Sequence, residues 1–153
     1  MTEKTPERIW SKPTNPKDAI GAKKLPMHLI PPVALAHMAV AMAEGALKYG
    51  KYNWAVAGVR STIYLDAIER HLKKYASGQD ADPTTRVHHL GSIMACCAII
   101  LDAESRGMLR DDRAPANPAA PELIDAMAEQ LAHLRELFAY HDPHHHTIQD
   151  EDD

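Results

Sequence analysis

Residues 84–107, TTRVHHLGSIMACCAIILDAESRG, decide the fold class. From Leu90 to Leu101 the segment is apolar nearly all round and shows no period-2 alternation. A helix of that kind needs neighbours on every side, so it is expected to be the central, most buried one of a bundle. Thr84 or Thr85 supplies its cap, and the helix reaches about Arg106, before Gly107. Upstream, Ser61 is expected to cap a second helix running to about Ala76 and stopped by Gly78. A first helix is expected from Pro32 or Val33 to Tyr49, with Gly50 as its stop. Downstream, Pro121 opens a fourth helix ending near Tyr140. Its residues Ile124, Met127, Leu131, Leu134 and Phe138 form one apolar seam suited to a partner helix or another subunit.

The fold class read from these patterns is all-α. Residues 1–32 form an extended N-terminal arm, because six prolines between Pro6 and Pro32 forbid a long helix. Residues 33–107 form the helical core, 108–140 a linker with the C-terminal amphipathic helix, and 141–153 a disordered acidic tail.

The chain has 153 residues, 45% apolar and 25% charged, the size and composition of one globular domain. Its net charge of −4 argues against binding to nucleic acid or anionic lipid by bulk charge. Cys96 and Cys97 are adjacent, which makes a poor disulfide staple and no zinc spacing. MTEKTPERIW has no apolar signal core, and no apolar run approaches a membrane span. A cytoplasmic protein, of the host cell if viral, is expected. Neither HExxH nor a Gly-rich phosphate loop is present, so zinc proteolysis and Walker-type ATP hydrolysis have no support.

Several polar groups sit where chemistry is possible. Glu44 and Lys48 are four apart on one face of the first helix, flanked by Val40 and Leu47. They read either as a surface ion pair or as groups reaching into a half-buried cleft. Asp66 and Glu69, three apart on the second helix, either share a divalent cation or form a solvated face. His71 falls in the apolar arc with Tyr64, Ile68, Leu72 and Tyr75, as a core or functional histidine. Asp80 and Asp82 precede a helix start, suiting its dipole or ligating magnesium. His88 and His89 open the apolar third helix and must face something polar.

The stretches NPKDAIGAKKLPMHLIPP, EGALKYGKYNW, YLDAIERHL, GQDADP and HHL follow in this order. Together they resemble the dATP/dGTP diphosphohydrolase family of phages, including MazZ-type enzymes that accompany 2-aminoadenine genomes. That family looks like a branch of the all-α, MazG-like nucleoside triphosphate pyrophosphohydrolases. The resemblance spans roughly Asn15 to Gly107. It implies a helical bundle assembled as a homo-oligomer, a tetramer by analogy. It also implies Mg2+ or Mn2+, and cleavage of dGTP or dATP to the monophosphate and pyrophosphate. The motif positions carried over are Asn15, Lys17, Asp18, Lys48, Tyr49, Asn53, Trp54, Arg70, His71, Asp82 and His89. MazG-like enzymes usually carry EExxE and then ExxD. This chain has a single Glu44 and then DxxE at Asp66 and Glu69, while an ExxD lies out of order at Glu122 to Asp125.

Carboxylate-held cations polarise phosphoryl oxygens, and cationic side chains neutralise the remaining charge. Glu44, Asp66, Glu69 and Asp82 are therefore the expected metal ligands, and His71 or His89 the base or its orienter. Lys17, Lys48 and Arg70 are expected on phosphate, with Asn53 and Trp54 on the base or sugar. The competing readings are an HD-type metal phosphohydrolase and a non-catalytic helical interaction module built on the fourth helix.

Overall fold

A computed structural model describes residues 15–152, which divide after Ala36 into two units. The first unit holds a short helix, α1 (Pro16–Gly21), and a 3₁₀ turn at Met27–Leu29. An extended arm was expected here. The helix forms because the Asn15 side chain accepts the Lys17 backbone N–H and Pro16 occupies the first turn, where its missing N–H costs nothing. Residues 1–14, the remainder of the expected arm, lie outside the described residues.

Helix α2 (Pro32–Tyr49) starts in the first unit, and the rest of the chain forms the second: α3 (Asn53–Ala57), β1 (Val59–Arg60), α4 (Ser61–Ala76), α5 (His89–Ser105), β2 (Leu109–Arg110) and α6 (Ala119–Leu137). The fold is all-α. β1 and β2 are a two-residue parallel pair, Val59 against Leu109 and Arg60 against Arg110, too short to leave a period in the sequence. Gly50, Gly78 and Gly107 follow α2, α4 and α5 at φ of +91°, +88° and +68°, the left-handed conformation that stops a helix. Among the described residues, no helix is long and apolar enough to cross a membrane. The tail carries one 3₁₀ turn, Ile148–Asp152.

Buried residues concentrate on α5, at His89, Gly91, Ser92, Ala95 and Ala103. Ala95 joins Ala41 of α2 and Val87 in a small apolar cluster, with Met38 and Met42 packed against it. Gly91 permits this approach, since a Cβ there would lie 2.7 Å from the His37 carbonyl oxygen. The opposite side of α5 is not covered in the single chain, and Leu101 is 65% exposed. The α6 seam is likewise uncovered, at 46–71% exposure.

Two expected helix starts are corrected. α5 begins at His89, not after Thr84 or Thr85. The Asp82 carboxylate accepts the backbone N–H groups of Thr84 and Thr85, which folds this stretch into a turn. Ala81 and His88 then bridge, and the His88 ring accepts the Leu90 N–H as the cap. α4 is not capped by Ser61, which is its first residue. Its cap comes from 50 residues away: the Thr62 backbone N–H donates to Asp112 at 2.9 Å, and the Thr62 hydroxyl donates to the same carboxylate at 2.8 Å. A carboxylate there satisfies an orphan donor and complements the helix dipole.

The Thr62 backbone N–H, above all, holds the Asp112 carboxyl below the usual carboxylate range. A depressed folded-state pKa gives stability that is present above the unfolded value of 3.8 and lost as pH falls through the folded one. Asp112→Asn is therefore expected to lower Tm at neutral pH. Its gap from the wild type should narrow below about pH 4. Thermal melts across this range check it, and a gap independent of pH would contradict the charge-based cap.

Candidate active site

A cavity of about 560 Å³ opens between the helices of the second unit. Its wall takes Ala41, Met42, Glu44, Gly45, Lys48 and Tyr49 from α2, Asn53 and Trp54 from α3, and Ile63, Tyr64, Ala67, Arg70 and His71 from α4. Ser92, Ala95, Cys96 and Ile99 of α5 close it. The volume lies within the roughly 300–1,000 Å³ of small-molecule sites. The composition is also of that kind, an apolar floor with a few convergent charges. A second cavity, of about 470 Å³, runs along β1 and β2 and has two arginines but no carboxylate, imidazole or aromatic ring.

Six of the expected site residues share the first wall: Glu44, Lys48, Asn53, Trp54, Arg70 and His71. Lys48 Nζ donates to Glu44 Oε1 at 2.5 Å, with the Glu44 side chain 22% exposed and Lys48 50%. Both sequence readings of this pair hold at once, since it is an (i, i+4) ion pair and it faces a cleft. The bond to Glu44 raises the Lys48 pKa, keeping it cationic.

Trp54 is placed by the turn before it. Gly50 ends α2, Tyr52 takes a left-handed conformation at φ +60°, and α3 begins at once. The indole N–H then donates to Asp102 Oδ2 at 2.8 Å, an oxygen that also accepts the Arg106 Nε–H at 2.7 Å. Asp102 was missed in the sequence. It stands four residues before Arg106 near the end of an apolar helix, a spacing that carries no record of its partner Trp54.

His71 reaches the wall from α4, and behind it stands His89, 0% exposed. The two Nδ1 atoms lie 2.9 Å apart, and His89 Nε2 lies 2.8 Å from Gln79 Oε1. Burial, and next the neighbouring His89, lowers the His71 pKa and favours the neutral imidazole. Burial likewise pushes the Tyr64 phenol and the Cys96 thiol up, leaving both protonated. In the sequence Gln79 stands only as a member of the stretch GQDADP.

The remaining expected residues lie elsewhere. Asp66 and Glu69 are exposed on α4 and do not line the cavity. Helical rotation explains this, because Ala67, Arg70 and His71 take the inward face. Asp82 serves the turn before α5 and lies 4.0 Å from Lys74. The four expected metal ligands are thus not gathered in one chain. Among the described residues, the group of three metal-capable side chains within reach of one another is His144, His146 and Asp150, exposed in the tail. Lys17 is exposed in α1 of the first unit.

Comparison with known proteins covers the same part of the chain. A family described as "dATP/dGTP diphosphohydrolase, N-terminal" matches residues 14–113, which contain every cavity residue. A curated relative, the dATP/dGTP diphosphohydrolase of Salmonella phage PMBT28, is 36% identical over 66 residues. That stretch is 43% of this chain and 22% of the relative, so the chain spans only a minor part of the relative's length. No solved structure matches. With two thirds of its length inside the family's N-terminal region, the chain belongs to the dATP/dGTP diphosphohydrolase family.

Proposed function

We propose that this protein hydrolyses a purine deoxynucleoside triphosphate, dGTP or dATP, to the monophosphate and pyrophosphate, with Mg2+ or Mn2+ as cofactor. The observation that carries this reading is the single cavity shared by Glu44, Lys48, Arg70, Trp54 and His71. A triphosphate needs concentrated positive charge, and Lys48 and Arg70 supply it from two helices. A purine needs a flat apolar surface, and the Trp54 ring is held for that purpose by Asp102. Asn53 offers amide donors and an acceptor to the base or sugar. In the reaction, water adds to a phosphorus flanking the α–β bridge, the bridging P–O bond breaks, and the monophosphate and pyrophosphate separate.

Glu44 suits the metal. Magnesium is held by one or two carboxylates together with substrate phosphates, and Glu44 is the carboxylate on this wall. When bound, the ion polarises phosphoryl oxygen and makes hydroxide available. Asp66, Glu69 and Asp82 do not share the wall, so no single-chain ligand role is given to them. The family's description and the phage relative support a purine deoxynucleotide substrate. A place in shaping the nucleotide pool for phage DNA synthesis, 2-aminoadenine synthesis included, within the host cytoplasm, is part of the same proposal.

The uncovered apolar faces of α5 and α6 support a homo-oligomer, with a tetramer as the family analogy. An HD-type phosphohydrolase needs a His-Asp pair, and the cavity wall carries no aspartate. A non-catalytic module built on α6 leaves the cavity without a role.

Three measurements test the reading. Incubation with each nucleoside triphosphate and Mg2+ or Mn2+ should release pyrophosphate from dGTP or dATP, with pyrimidine nucleotides poorer. Orthophosphate or triphosphate as the only product would sink it. Glu44→Gln keeps the shape and removes the charge, so kcat should fall by about 10² or more, about 2.7 kcal/mol, with the fold intact. Normal turnover would return Glu44 to a surface ion pair. Leu131→Asp places a charge in the α6 seam and should reduce the mass seen by light scattering. A wild-type monomer removes the assembly reading, and an oligomer untouched by the change moves the interface off α6.

A further inference from the structure

The buried histidine behind the cavity has its hydrogen bonds at both ends of the ring, and the partners fix which atoms carry protons. Gln79 presents its carbonyl oxygen, Oε1, to His89 Nε2. An amide oxygen only accepts, so His89 carries its proton on Nε2. A neutral imidazole has one N–H, which leaves His89 Nδ1 as an acceptor. His71 Nδ1, at 2.9 Å, must then donate to it. The single proton of a neutral His71 is thereby placed on Nδ1, and its Nε2 keeps a bare lone pair. Among the described residues that Nε2 has no hydrogen-bond partner, and His71 lines the cavity.

We infer that Gln79 and His89 are positioning residues that lock His71 in the Nδ1–H tautomer, so that its Nε2 accepts the proton of the attacking water. This rests on the hydrolase reading and names a role within the same site. As the water oxygen bonds to phosphorus, its proton passes to His71 Nε2. The α–β bridging P–O bond breaks, and its electron pair stays on the bridging oxygen, which departs with pyrophosphate when the α-phosphorus is attacked and with the monophosphate when the β-phosphorus is. His71 becomes an imidazolium that donates Nδ1–H to His89, and that proton is later returned to solvent.

The arrangement is built rather than incidental. His89 is held by more than its ring, since its backbone N–H donates to the Asp80 carbonyl at 2.9 Å. Gln79 is fixed by its own N–H on the Lys74 carbonyl at 3.1 Å, just after the left-handed Gly78. No buried side-chain polar atom is left without a partner among the described residues. Burial, then His89 and Lys74, oppose a second proton on His71, while Glu44 pulls the other way. A misplaced proton on an otherwise intact catalytic histidine is known to disable a hydrolase far more than it disturbs its geometry.

Gln79 is itself exposed, so it can be changed without opening the core. Gln79→Lys replaces the acceptor with a donor. His89 Nε2 must then accept, its proton moves to Nδ1, and the His71 proton moves to Nε2, blocking the lone pair. Gln79→Glu keeps an acceptor. The tautomers are read by ¹⁵N–¹H correlation through two-bond couplings on ¹⁵N-histidine-labelled full-length protein, above the imidazole titration range. Wild type and Gln79→Glu should show His71 protonated on Nδ1 and His89 on Nε2, and Gln79→Lys the reverse. With dGTP and Mg2+, Gln79→Lys should lose about 10² in kcat with little change in KM, and Gln79→Glu should recover most of it.

His71 protonated on Nε2 in the wild type overturns the inference. So does full kcat in a Gln79→Lys protein whose tautomers have reversed. If the wild type releases pyrophosphate from no purine triphosphate, the base role falls with the hydrolase reading. The resonances then judge the tautomer lock on their own.

Discussion

The imidazole of His89 lies where water does not reach, and a ring with two nitrogens there must satisfy both of them. Its partners are His71 on α4 and Gln79 on the turn after α4, so one side chain ties the end of α4 to the start of α5. The rest of the site hangs from that tie. With His71 turned inward at this point of α4, Arg70 and Ala67 share the cavity wall, while Asp66 and Glu69 face solvent. The same tie anchors the first turn of α5, and α5 carries Ser92, Ala95, Cys96 and Ile99 to the opposite wall. A bare apolar residue in place of His89 would leave two polar partners unmatched rather than one cavity unfilled.

Much of this was legible because glycine and proline act locally. Pro32, Gly50, Gly78 and Gly107 each mark a helix boundary through a backbone requirement that needs no tertiary context. The two misplaced helix starts have different causes. Asp82 takes the N–H groups of Thr84 and Thr85 into a local turn that competes with a helix cap, whereas Asp112 reaches α4 from across the sequence, so that tertiary geometry chose the cap there. In the site, motif order identified the helices that meet, and helical rotation chose among their residues. Asp66 and Glu69 lie outside the wall for that reason, and Asp82 because it serves the turn before α5. Asp102 and Gln79 went unread because each acts through another side chain, and single-sequence spacing carries no record of such a partner.

The apolar surface is a second constraint. A helix that is apolar all round must be covered all round, yet in the single chain α5 leaves Leu101 at 65% exposure and α6 buries no residue. Exposed apolar residues are normal singly, but contiguous stripes on several helices of a 153-residue chain are not. Small residues such as Ala41, Gly91 and Ala95 let α2 and α5 approach closely, which makes the inner cluster thin. The larger side chains therefore point outward, where only another surface would cover them. The proposed assembly and the modest core are two consequences of one distribution of side-chain size.

The Glu44–Lys48 pair shows how the proposed chemistry and the resting geometry fit together. Ion pairs with half-exposed partners are worth about 0–1 kcal/mol, because water solvates the separated charges nearly as well. Such a pair holds both groups at the cavity wall and yields readily to stronger partners. A triphosphate brings several negative charges for Lys48, and a divalent cation is a better partner than an ammonium for Glu44. Substrate and metal arriving together would exchange one weak contact for two strong ones, whereas either alone would leave one member of the pair uncompensated at the wall. On the proposed reading, the same electrostatics that keep the empty site stable make joint binding of metal and nucleotide the favoured route to an active one.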